Sequence, residues 1–285
     1  MSHAPPLPAH ETKNEPILYY PVLPTSLVLE LKQSDTTQNT TGSTLWLGAQ
    51  ILAVYLFDLY GSKPRPPAPT EGSRRPRAID LGAGVGLTAH VMTMLGFDVV
   101  ATDLKVVIDT VLGRNMEGNS GCVKAWGDEA DVGGVAKGCG DATVRELDWF
   151  VDPDEWDWSG ARSIAPREGS KTDNDIIIGP SFDLIVTADT LYRQDLVAPL
   201  LRTIKAISIQ SRKGKRFPPV FVALERRDPE VIERALELAK EEGFGCKKIT
   251  DGKVRKCLDA VGFKWDKEDW EGVEIWRWIY KGAGE

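Results

Sequence analysis

The stretch Ala78-Ile79-Asp80-Leu81-Gly82-Ala83-Gly84-Val85-Gly86-Leu87 decides the reading of this chain. Residues Arg77 to Leu81 are apolar apart from one basic and one acidic side chain and predict a strand. The glycines predict a tight bend, and Leu87 to Leu95 predict a helix. Without Cβ atoms, Gly82 and Gly84 let the main chain turn sharply and approach a ligand closely. Dinucleotide sites use G-x-G-x-x-G. Here the third glycine, Gly86, comes one place early, and Leu87 stands where that pattern needs glycine.

Two carboxylates flank the bend. Asp80 sits at the end of the strand, where it repels a pyrophosphate but attracts the ammonium of an amino acid. Asp103 ends a second predicted strand, Asp98 to Thr102, about 20 residues beyond the first glycines, where a carboxylate can accept hydrogen bonds from both ribose hydroxyls. The sign of these charges favours S-adenosylmethionine over NAD. A third strand, Val144 to Leu147, runs into Asp148-Trp149, an aromatic ring with a polar neighbour that suits a flat adenine and its exocyclic amine.

Outward from this core, strand and helix signals alternate. A helix is predicted at Val106 to Met116, a strand at Phe182 to Thr187, a helix at Val197 to Ile207 and a strand at Val220 to Leu224. The next helix has Asp228 as N-cap, Pro229 at its first position and Gly243 beyond its end. Strands near Cys246 to Ile249 and Val273 to Tyr280 close the chain, with a short helix at Val254 to Ala260 between them. Upstream, Leu45, Ala49, Leu52, Leu56 and Leu59 mark a helix with Ser43 or Thr44 as its cap. Leu27, Leu29 and Leu31 alternate as a strand that pairs with Ile17 to Val22. The fold expected is a doubly wound, mostly parallel α/β sheet with an N-terminal β-hairpin extension. Residues 1 to 16, rich in proline, read as a mobile tail. Residues 61 to 77 read as an exposed loop, and 118 to 140 and 152 to 175 as polar insertions.

Composition narrows the function. With 42 acidic against 35 basic residues the net charge is −7, which disfavours a nucleic-acid partner. The basic clusters at Arg74 to Arg77 and Arg212 to Arg216 read as solvated loops. Cys122, Cys139, Cys246 and Cys257 form no C-x-x-C pair, so no metal site is expected and reduced thiols in the cytosol or nucleus fit best, with the cytoplasm the expected location. The first residues lack the pattern of a secretory signal, and the apolar run Leu45 to Phe57 is too short to span a bilayer. Only three histidines occur, of which His90 alone lies outside the proline-rich start. Serine-triad, H-E-x-x-H and phosphate-loop motifs are absent from the sequence.

The chain resembles the seven-strand methyltransferases of the family-16 type, mostly protein-lysine methyltransferases. The resemblance rests on Thr41-Gly42-Ser43-Thr44-Leu45-Trp46, Asp80-Leu81-Gly82-Ala83-Gly84, Asp103, Leu147-Asp148-Trp149 and Ala188-Asp189-Thr190-Leu191-Tyr192, the last similar to the group's D-x-x-Y signature. It implies a seven-stranded sheet with an antiparallel last strand, residues 1–36 as tail and hairpin, and 37–285 as the methyltransferase domain. By this similarity Trp46, Gly82, Ala83, Gly84, Asp103, Trp149 and Ala188 contact S-adenosylmethionine beside Asp80. Asp189 and Tyr192 border the acceptor channel as the catalytic pair. The partner implied is a protein lysine, with elongation factor 1-alpha the candidate drawn from relatives, and a monomer with no membrane partner is expected. Glu225-Arg226-Arg227-Asp228 only partly matches the group, and the two insertions are long for it. A small-molecule N-methyltransferase and a non-catalytic interaction module on the same fold remain alternatives.

Overall fold

The computed structural model describes residues 4–34, 41–61, 74–128, 138–160, 163–165 and 180–282. A short helix α1 (Ala9–Thr12) precedes the hairpin β1 (Ile17–Pro21) and β2 (Val28–Lys32), which pair antiparallel. Helix α2 (Leu47–Tyr60) leads to β3 (Arg77–Leu81), α3 (Leu87–Met94) and β4 (Asp98–Asp103). Next come α4 (Lys105–Val107), a π turn over Ile108–Leu112, α5 (Gly113–Asp128), β5 (Ala142–Leu147) and β6 (Ser163–Ala165). The second half runs β7 (Leu184–Ala188), α6 (Gln194–Gln210), β8 (Val220–Glu225), α7 (Pro229–Glu241), β9 (Phe244–Lys248), α8 (Asp251–Val261) and β10 (Val273–Tyr280).

The central sheet has the order β6-β5-β4-β3-β7-β8-β10-β9, with β10 antiparallel to both its neighbours. Apolar side chains of α2, α3, α5 and α8 cover one face, and those of α6 and α7 cover the other. The order reverses between β3 and β7, so a crevice opens beyond the carboxyl ends of these strands, where ligands bind in open α/β sheets.

Several expectations are met in detail. Asp228 caps α7 by accepting hydrogen bonds from the N–H groups of Glu230 (3.1 Å) and Val231 (3.3 Å), with Pro229 following it. Ile232, Ala235, Leu236 and Ala239 form the buried stripe of that helix.

Four differences have physical causes. Among the described residues the sheet carries eight strands rather than seven, because Ser163–Ala165, within the second insertion, adds β6 to the edge beside β5. Ile164 is fully buried there, and the Arg145 guanidinium holds the preceding turn by donating to the carbonyls of Trp158 and Gly160. Three residues are too few to show a period. The helix read as ending near Met116 continues as α5 to Asp128, through the start of the first insertion, because Val123 and Trp126 bury against the core. The N-terminal segment read as mobile lies against the domain from Pro6: Trp265 Nε1 donates to the Pro6 carbonyl (2.9 Å) and Gln50 Nε2 to that of Leu7 (3.0 Å). Finally, Thr41–Ser43 form a 3-10 turn, and neither Ser43 nor Thr44 caps α2, whose first residue is Leu47. Residues 62–73 of the expected loop, and 129–137, 161–162 and 166–175 of the two insertions, lie outside the described residues.

Both basic clusters serve the fold: Arg74 (3.0 Å) and Lys213 each pair with Asp183. No helix among the described residues is long and apolar enough to cross a membrane.

Candidate functional site

A cleft of about 600 Å³ occupies the crevice, and all ten residues singled out in the sequence line it: Trp46, Asp80, Gly82, Ala83, Gly84, Asp103, Trp149, Ala188, Asp189 and Tyr192. The sheet brings them together from five elements. β3 delivers Asp80 and the glycine bend, β4 ends on Asp103, β5 ends beside Trp149, β7 leads to Ala188 and Asp189, and the turn before α2 supplies Trp46.

The bend works through its main chain. Gly82 and Gly84 take left-handed φ values of 69° and 56°, which a side chain would resist. Thr102 Oγ1 donates to the Asp80 carbonyl (2.8 Å) and the Ala83 N–H to that of Thr102 (2.9 Å), stitching the ends of β3 and β4 together. Asp103 Oδ2 accepts from the Gly84 N–H (2.9 Å) and Oδ1 from the Leu104 N–H (2.8 Å), so the carboxylate is fixed at the lip of the bend. Its remaining lone pairs stay available to a diol. Burial pushes the Asp103 pKa up to about 6, against the pull of those two N–H donors.

Asp80 lies deeper, 1% exposed, and its Oδ2 has no hydrogen-bond partner. Burial, and then the neighbouring Asp103, push its pKa up to about 8, while an N–H donated by Ala89 pulls the other way. An unpaired, buried carboxyl group at the floor of a cleft is costly to ionise without a cation. The site therefore fits a ligand that brings a positive charge, and it opposes a diphosphate. The Trp149 ring packs against Gly82, where a Cβ would stand 3.2 Å from it, and its Nε1 is buried without a partner.

Asp189 holds a left-handed backbone with φ 57°, the one non-glycine residue to do so among those described. Strain of this kind persists where the surroundings enforce it. Here the enforcement comes from α2. The first residue before that helix, Trp46, offers no side-chain cap, and Asp189 supplies it from across the fold: its Oδ2 accepts from the Ala49 N–H at 3.1 Å. Gly48 leaves room for the carboxylate, since a Cβ there would meet both oxygens at 2.6 Å. Oδ1 is buried without a partner. Burial pushes the Asp189 pKa up to about 7; the Ala49 N–H draws it down, Glu225 raises it, and Arg227 and the Gly48 N–H draw it down further.

At the mouth stand the exposed side chains of Val106, Phe150 and Tyr192. Trp46 donates from Nε1 to the Thr41 carbonyl (2.7 Å), and the Arg227 guanidinium stacks 4.3 Å from its ring. His90, by contrast, is buried in α3 away from the cleft, and burial lowers its pKa to about 4, which leaves it neutral. Sequence reasoning missed Gly48 as part of the site. The one available signal was a glycine in the first turn of a helix, where alanine is favoured by about 1 kcal/mol.

Comparison of the sequence with known proteins points the same way. Residues 26–129 match the lysine methyltransferase family. The family resemblance drawn from the motifs is thereby borne out. Protein N-lysine methyltransferase METTL21A of Mus musculus is 27% identical over 180 residues, covering 62% of this chain and 59% of that protein. The chain thus aligns with somewhat over half the length of this lysine methyltransferase relative. Among solved structures, a TehB-like SAM-dependent methyltransferase from Corynebacterium glutamicum has a TM-score of 0.43 at 16% identity, covering 80% of this chain and 86% of that one. A methyltransferase from Pyrococcus furiosus has a TM-score of 0.44 at 14% identity, covering 89% of each chain.

Proposed function

We propose that the protein is an S-adenosylmethionine-dependent protein-lysine N-methyltransferase. The observation that carries this reading is the pair of acidic groups, Asp80 and Asp103, set about a bare main-chain bend and continuous with the half-free carboxylate of Asp189. When bound, S-adenosylmethionine supplies an electrophilic methyl group on a sulfonium. The residues here hold and orient. Asp80 would pair with the ammonium, Asp103 would accept hydrogen bonds from the ribose hydroxyls, and the Trp149 ring would offer a face to the adenine. Trp46, Gly82, Ala83, Gly84 and Ala188 form the walls.

The acceptor is an amine, and methyl transfer to it needs a free lone pair. A lysine at neutral pH loses its proton at a cost of roughly 4 to 5 kcal/mol. Entry into an apolar channel beside a cation lowers that pKa. Asp189 Oδ1 accepts a hydrogen bond from the incoming amine and turns its lone pair toward the methyl carbon, while Oδ2 stays anchored on α2. The Tyr192 ring walls the channel and contacts the alkyl stem and its cationic end. The one proton released is that lost by the lysine before attack, which passes to solvent, and the methylated amine keeps its remaining N–H protons and its positive charge. Positioning supplies most of the rate.

Elongation factor 1-alpha is the candidate substrate, and a cytoplasmic monomer is the proposed working state. A lysate from cells lacking this protein, incubated with purified enzyme and a heavy-methyl donor, tests the reading. Heavy methyl groups on lysine ε-amines of a discrete protein support it. Label confined to free metabolites indicates the small-molecule enzyme, and no label at all indicates a non-catalytic module.

The pKa of Asp80 adds a pH dependence. Without ligand it is largely protonated at pH 7, and a bound ammonium holds it ionised, so binding releases a proton. Cofactor affinity should rise by up to about tenfold per pH unit from about pH 6 towards 8, where deprotonation of the ligand's own ammonium ends the rise. Calorimetry across that range, in buffers of different ionisation enthalpy, checks the slope and the proton count.

A further inference from the structure

Helix α5 carries two buried asparagines, Asn115 and Asn119, four residues apart and so on one face. Each amide reads both main-chain groups of one residue in β2. The Glu30 N–H donates to Asn119 Oδ1 and Asn119 Nδ2 donates to the Glu30 carbonyl, both at 2.9 Å. The Lys32 N–H donates to Asn115 Oδ1 at 2.9 Å, and Asn115 Nδ2 donates to the Lys32 carbonyl at 3.0 Å. Side chains thus stand in for a third strand along the hairpin.

The two differ in their second amide hydrogen. Asn119 returns it to its own helix, to the Asn115 carbonyl at 2.8 Å. Asn115 donates it to the Val85 carbonyl at 3.0 Å, inside the glycine bend and on the wall of the cleft. One side chain therefore joins the hairpin to the loop that shapes the site. A second link reaches the opposite wall: Gln33 Oε1, at the end of the hairpin, accepts from the Leu45 N–H at 2.6 Å, while its Nε2 is held by the Thr12 and Glu15 carbonyls.

We propose that Asn115 is a positioning residue for cofactor binding, fixing the Val85 carbonyl so that the bend stays open, and that through it the N-terminal hairpin is energetically coupled to the cofactor. The proposal rests on the reading of the cleft as an S-adenosylmethionine site. Coupling is reciprocal, so the cofactor must in turn tighten the hairpin.

The experiment compares Asn115→Ala with Asn119→Ala, which loses equivalent hairpin bonds but not the Val85 bond. Both should melt below wild type. Asn115→Ala should weaken S-adenosylmethionine binding by about tenfold in calorimetry, and Asn119→Ala by no more than about twofold. Equal weakening by both, or none by Asn115→Ala, overturns the proposal. Should Asn115→Ala not fold, Asn115→Asp keeps the acceptor for the Lys32 N–H while losing the donor to Val85, and the same tenfold loss is expected. Hydrogen exchange on the wild type is an independent measure: saturating S-adenosylmethionine should slow exchange of the Lys32 amide, and an unchanged rate contradicts the coupling. A wild-type protein that binds no cofactor at all would instead refute the reading of the cleft.

Discussion

Replacing Asp80 by asparagine should weaken S-adenosylmethionine binding by about 10- to 100-fold, the range for losing a charge-assisted hydrogen bond, while making the cofactor-free protein more stable at alkaline pH. The variant keeps the shape and the acceptor for the Ala89 N–H but cannot carry the charge that the ammonium needs. The stability gain follows from linkage. The folded-state pKa of Asp80 is raised to about 8 from an ordinary 3.8, first by burial and then by Asp103. A carboxyl group raised in this way binds its proton more tightly when folded. Its contribution to stability is complete below about pH 4 and is lost as the pH climbs through about 8. Asparagine removes that loss. The melting temperature of the variant should match wild type at or below about pH 4 and exceed it by a margin that grows up to about pH 8, as differential scanning calorimetry would show. A variant that binds cofactor like wild type would mean that the carboxylate does not meet the ammonium.

Asp189→Asn should bind cofactor within about threefold of wild type and transfer methyl groups about 100-fold more slowly, the usual loss when one preorganised polar group is removed from a site. Asparagine still accepts from the Ala49 N–H and tolerates the left-handed backbone at φ 57°, so the fold is preserved. Alanine does neither. Asp189→Ala should lose as much rate and also about 2 to 3 kcal/mol of stability, from the missing helix cap and the strained backbone. Gly48→Ala probes the same carboxylate from the other side. Its Cβ would press on both oxygens from 2.6 Å, displacing the carboxylate and slowing transfer by about tenfold with cofactor affinity unchanged. Single-turnover rates and calorimetry on the three variants separate positioning from stability. An Asp189→Asn protein with a wild-type rate would leave the carboxylate with capping alone.

The cofactor half of the site was legible because its chemistry is local. A strand, a bend that only glycine fits and a carboxylate at each of two strand ends are consecutive in the chain, and the alternation of strand and helix fixes how those ends meet. The proposed acceptor half was legible only as a resemblance: nothing in Ala188 to Tyr192 says that Asp189 reaches back 140 residues to cap α2. Long-range side-chain contacts leave no period. The same holds for Asn115, near the end of the predicted helix, and for Asn119, in the stretch that reads as an insertion: both are pinned to the hairpin by paired amide bonds. The edge strand at Ser163–Ala165 was missed for want of length, and the proline-rich start was read as mobile because its anchors, the indole of Trp265 and the amide of Gln50, lie on distant elements.

Titration of the purified wild-type protein with S-adenosylmethionine, run against NAD as control, tests the central claim most directly. The arrangement of Asp80 and Asp103 predicts one saturable site per chain, a raised melting temperature and proton release at pH 7, with no response to NAD. No heat and no thermal shift with S-adenosylmethionine, or tighter binding of NAD, would contradict it.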